Sequence, residues 1–73
     1  MMKNIKKIKI KIHGKLSIIQ DNVTLYSYLI KLKVPIKKVA IELNQEIVDK
    51  NLLKKIKLKK NDKIEIVHFI GGG

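Results

Sequence analysis

The chain has 73 residues, no cysteine and a formal net charge of +11, and all 17 of its basic residues are lysine. A chain this short makes one domain with a modest core, and without Cys it can hold no disulfide, thiolate metal cage or thiol nucleophile. Sequence-specific nucleic-acid readers lean on the arginine fork and on exposed aromatics; Arg is absent and aromatics are 4%. The lysines therefore read as a solvated surface that can assist docking on an acidic partner, and nucleic acid is not the expected ligand.

In chain order, Ile8, Ile10 and Ile12 alternate with Lys7, Lys9 and Lys11, the period of a half-buried strand. His13-Gly14 breaks the pattern and predicts a tight turn, after which Lys15 to Gln20 returns as the second arm of a hairpin. Its apolar positions are Leu16 and Ile18. No apolar h-region or membrane-length run is present, which predicts a soluble protein of the cytoplasm, or of an organelle stroma if plastid-encoded.

Thr24 is the expected N-cap of the main helix, with Val23 and Tyr28 placed to form a hydrophobic staple. Leu25, Leu29 and Leu32 form one apolar stripe. Pro35 and the restriction it places on Val34 end a helix of about ten residues. Val39, Ile41 and Leu43 alternate as a third strand, Asn44-Gln45 predicts a turn, and Ile47-Val48 is placed to run back beside it. Leu52, Leu53, Ile56 and Leu58 suit a short helical turn followed by a short strand. Asn61-Asp62 is a second turn signal, and Ile64 to Ile70 reads as the closing strand.

This order predicts an α+β fold: a mixed sheet of four to five strands with one main helix on one face. The first and last strands are expected side by side, in parallel, at the centre. In the closing strand Ile64 and Ile66 share one face, which leaves Val67 and Phe69 on the other as a candidate docking patch.

The closing strand feeds directly into Gly71, Gly72 and Gly73. A glycine run is a weak signal alone, but here it extends a strand that reads as core. Three extended residues reach roughly 10 Å beyond it, and without Cβ atoms they can pass a narrow channel at any backbone angle. The terminal carbonyl is uncrowded, so its carboxylate becomes a usable electrophile once a partner adenylates it. No phosphate-binding Gly-rich loop is present, so ATP belongs to that partner. His13, His68 and the scattered carboxylates form no catalytic cluster and no metal-ligand set.

These residues resemble the ThiS family, the sulfur carriers of thiamine biosynthesis. The matching stretches are Val23 to Tyr26, Val39 to Asn44, Glu46 to Val48 and, most specifically, Lys63 to Gly73. The family often has Gly where this chain has Gln45 and Asn61, both in predicted turns. The resemblance implies a ubiquitin-like β-grasp domain over residues 1–73 with 71–73 as a flexible tail. It further implies a monomer that is a protein co-substrate rather than an enzyme and binds no cofactor itself. A ThiF-type adenylyltransferase would activate Gly73 with ATP and Mg, and a sulfurtransferase or cysteine desulfurase would supply sulfur. A ThiG-type thiazole synthase would then accept it. The nearest rival is the small subunit of molybdopterin synthase, with the same tail chemistry and a different acceptor. A rival of another class is a basic nucleic-acid-binding β-grasp module, whose affinity would fall steeply with salt and ignore loss of Gly72 and Gly73.

Overall fold

A computed structural model describes residues 6–68. Two residues of positive φ, His13 at 51° and Gly14 at 77°, form the tight turn that matches the twist of β1 (Lys7–Ile12) and β2 (Lys15–Gln20). Because the turn has two residues, Ile12 pairs with Lys15, Ile10 with Ser17 and Ile8 with Ile19. That register corrects the sequence expectation for β2. Ser17 and Ile19 share the inner face, while Leu16 and Ile18 point outward and are 60% and 59% exposed.

Thr24 caps the helix α1 (Leu25–Lys31) as its sequence predicts, accepting from the Ser27 backbone N–H at 3.1 Å. The helix is shorter than ten residues. Lys33 adopts φ 62°, Lys33 N–H donates to the Ile30 carbonyl and Val34 N–H to the Leu29 carbonyl. This is a Schellman closure with Lys where glycine is usual. Pro35 makes continuation unfavourable beyond that point. Leu32 is consequently a half-exposed C-cap, and the buried stripe is Leu25, Tyr28 and Leu29.

After α1 a short 3₁₀ turn, Ile36–Lys38, leads into β3 (Val39–Leu43), which pairs with β4 (Glu46–Ile47). Asn44 and Gln45 both have positive φ, 53° and 71°, so the turn keeps left-handed geometry without glycine. Asn61 does the same at 71°. A second 3₁₀ stretch, Lys50–Lys55, buries Leu53, and the following residues tie to the start of the helix. Leu25 N–H donates to the Ile56 carbonyl and Leu58 N–H to the Val23 carbonyl. The short strand expected there is a single bridge between Thr24 and Lys57.

The closing strand, β5 (Lys63–His68), lies between β1 and β3, giving the sheet order β2-β1-β5-β3-β4. It is parallel to β1 and antiparallel to β3, the central parallel pair that the sequence predicts. Ile10, Leu25, Tyr28, Leu29, Val39, Ile41, Leu53, Leu58 and Ile64 make one core between helix and sheet. Its members are aliphatic except for Tyr28, whose hydroxyl donates to the Ser17 Oγ at 3.3 Å. Among the described residues no helix is long and apolar enough to cross a membrane.

Candidate functional site

The candidate site is the C-terminal end of β5 and the sheet surface around it. The strand begins firmly anchored. Asp62, 8% exposed, accepts from the Lys59 backbone N–H at 2.7 Å and from Asn44 Nδ2 at 2.9 Å. Asn44 Oδ1 in turn accepts from the Lys63 N–H at 3.0 Å, and Asn44 N–H donates to the Lys63 carbonyl at 2.7 Å. Two turns that the sequence marks only as turns are thus stitched together by Asn44 and Asp62. A short polar side chain suits both roles, tolerating the left-handed backbone and bonding neighbouring main chain.

Side chains of β5 then alternate. Ile64 is fully buried and Ile66 packs partly against the core. Val67 lies on the opposite, helix-free face and is 43% exposed, opposite Ala40 of β3 in register. Ile47, opposite Glu42 on the next strand, is 73% exposed. The open face therefore carries Val67 beside Ala40 toward the end of β5, with Ile47 farther out on β4, level with Glu42 and Glu65. Leu16 and Ile18 stand on its far edge.

Charge is arranged unevenly over the same face. Lys11 lies beside Lys63 in the parallel pair, and Glu42 beside Glu65 in the antiparallel one. Like charges placed directly opposite each other destabilise a sheet, so this face is not arranged for stability alone.

Of the candidate site residues, Val67 is exposed as the alternation predicts. Phe69, Gly71, Gly72 and Gly73 lie outside the described residues. Sequence reading missed Leu16, Ile18 and Ile47 as exposed apolar positions. The first two follow from the two-residue turn, because a strand inverts its faces when its register shifts by one. His68 is exposed.

A helix laid across one face of a mixed sheet, with the first and last strands parallel at its centre, defines a domain of the β-grasp class. A solved structure of the thiamine biosynthesis protein ThiS from Geobacter metallireducens superimposes with a TM-score of 0.81 at 28% identity, covering 90% of this chain and all of that one. The sequence model of the ThiS family matches residues 6–73. The chain belongs to the ThiS family.

The sulfur carrier protein ThiS of Bacillus subtilis strain 168 is 39% identical over 54 residues, which cover 74% of this chain and 82% of that protein. Thiazole synthases of Magnetococcus marinus and Paramagnetospirillum magneticum are 36% and 39% identical over 66 residues. The chain spans about a fifth of the length of those two proteins, since the match covers 90% of this chain and 20% of each of them.

Proposed function

We propose that this chain is a sulfur carrier protein for thiazole formation in thiamine biosynthesis, with the Gly73 carboxylate as its working group. The observation that carries the reading is the family match, which extends through the closing strand to Gly73 itself. The B. subtilis relative is named for this activity, and in two relatives the matching stretch belongs to a polypeptide named thiazole synthase. Carrier and acceptor sequence within one polypeptide support a thiazole synthase of the ThiG type as the partner that takes the sulfur.

The chemistry begins on a partner. A ThiF-type adenylyltransferase holds ATP and Mg and takes the glycine tail, Gly71 to Gly73, into its site. The Gly73 carboxylate attacks the α-phosphorus, pyrophosphate leaves, and the carboxylate oxygen becomes part of a leaving group. Hydrosulfide adds to the carbonyl carbon and expels AMP directly. Where a sulfurtransferase or cysteine desulfurase supplies the sulfur as a persulfide, its attack expels AMP to give an acyl disulfide. A thiol then reduces the S–S bond, forming a disulfide of its own. Gly73 is left as a thiocarboxylate. Glycine lets the tail thread a narrow site and leaves the carbonyl open to attack. The chain acts as co-substrate, with catalysis supplied by its partners. Val67, with Ala40 beside it on β3, gives the partner a surface to hold, and Phe69 is the second apolar residue assigned to that patch from the sequence.

The test is an intact-mass measurement after incubation with a ThiF-type enzyme, ATP, Mg and a sulfide source. One oxygen exchanged for one sulfur, localised to Gly73 by fragmentation, is the expected result. An unchanged mass, with an enzyme that loads its own carrier in parallel, overturns the reading.

A further inference from the structure

The parallel ladder between β1 and β5 stops early, and one side chain continues it. Lys11 N–H donates to the Asp62 carbonyl and His13 N–H to the Ile64 carbonyl, a regular two-residue step. In a regular parallel ladder the next rung joins the Ile66 N–H to the carbonyl of residue 13. Here the backbone has already turned away, with His13 at φ 51° and Gly14 at φ 77°. The Ile66 N–H instead donates to the Nε2 of the His13 imidazole at 3.3 Å. The residue whose main chain leaves the ladder supplies the missing acceptor from its side chain.

His13 is also an unusual residue for its place. Such turns favour Asn, Asp or Gly, and positive φ is unfavourable for a β-carbon. A shorter turn residue suits the backbone better but lacks the length of the imidazole. The acceptor role fixes the protonation state as well. Nε2 accepts only when it carries no proton, so the ring proton sits on Nδ1; in the imidazolium both nitrogens are donors.

We propose that His13 is a positioning residue that clasps the closing strand at Ile66, seven residues before Gly73, and that protonation of its imidazole opens the clasp. The rung is present when the imidazole is neutral and is lost when both ring nitrogens are protonated. The charged groups around the turn are Lys11 and Lys15 on the hairpin and Lys63 and Glu65 on β5. Glu42 and Glu46 stand on the strands beyond, and His68 lies two residues past Ile66. Among the described residues, the acceptor that the Ile66 N–H meets is the His13 Nε2. Among the described residues, opening the clasp would leave β5 held beyond Ile64 by β3 alone, and so loosen Ile66 to His68. This goes beyond the sulfur-carrier reading and does not depend on it.

Amide hydrogen exchange at Ile66, expressed as a protection factor, tests the clasp. It is measured by NMR across the His13 titration, which is followed on its own imidazole signals. In the parent chain, Ile66 protection should fall about fivefold, the equivalent of one net hydrogen bond, with the midpoint of the His13 ring. His13→Gly keeps a turn-competent backbone and removes the acceptor, so it should show the low protection at every pH. His13→Gln offers an acceptor that does not titrate and should abolish the pH dependence. Protection in the parent that stays constant through the His13 midpoint overturns the proposal. So does a pH response at Ile66 that persists in His13→Gly, because Glu65 or His68 would then be its source.

Discussion

The two halves of β5 differ sharply in how they are held. From Asp62 to Ile64 the strand is bonded on both edges, and Ile64 is fully buried. Asn44 and Asp62 fix its entry with four short hydrogen bonds. From Ile66 to His68 the strand keeps β3 on one edge, while its other edge has, among the described residues, one bond, to His13. Val67 and His68 are exposed. The contrast teaches a division of labour within seven residues, Asp62 to His68: the first half makes the domain stable, and the second presents surface and leads toward the glycines.

Substitutions that act on one half should leave the other's role intact. The largest effect is expected for Ile64→Ala, which removes a fully buried side chain from the core and should cost about 3 kcal/mol in urea denaturation. Asp62→Ala should cost about 2 kcal/mol by the same measurement, because it strands the Lys59 N–H and the Asn44 amide. A gain is expected elsewhere. Lys33→Gly relieves a left-handed backbone at φ 62° and should stabilise by about 0.5 kcal/mol, the relief exceeding the added unfolded-state freedom. Smallest of all, Val67→Ala should change stability by less than about 0.5 kcal/mol. If Val67 is part of the proposed docking surface, that variant should nonetheless weaken binding to a ThiF-type enzyme, read by calorimetry. A Val67→Ala protein as unstable as Ile64→Ala would erase the distinction between the two halves.

Most of the architecture was legible because the local signals agree. Period-two alternation in β1, β3 and β5, a Thr cap and a Val-Pro stop each point to the same helix-on-sheet arrangement. Two errors have one cause each. Composition marks Leu16 and Ile18 as the apolar positions of β2, whereas the register imposed by His13-Gly14 turns them outward. The spacing of Leu32 fits the apolar stripe, but the closure at Lys33 ends the helix before Leu32 can be covered. The bonds joining Asn44 to Asp62 and His13 to Ile66 span 18 and 53 residues of sequence. No periodicity reports such pairings, since they arise only when separate turns meet in the fold. Gly71 to Gly73 are assigned from composition and family resemblance, a chemical signal rather than a packing one, and they lie outside the described residues.

If the domain serves as a handle for a reactive end, removing that end must abolish sulfur delivery without disturbing the handle. The direct measurement is thiazole formation in a reconstituted mixture of ThiF-type enzyme, thiazole synthase and sulfide, comparing the parent chain with one lacking Gly73. The parent should support turnover, and the shortened chain should support none while keeping the parent's denaturation midpoint. Thiazole formed at the parent's rate by the shortened chain would contradict the assignment of the reactive carbonyl to Gly73.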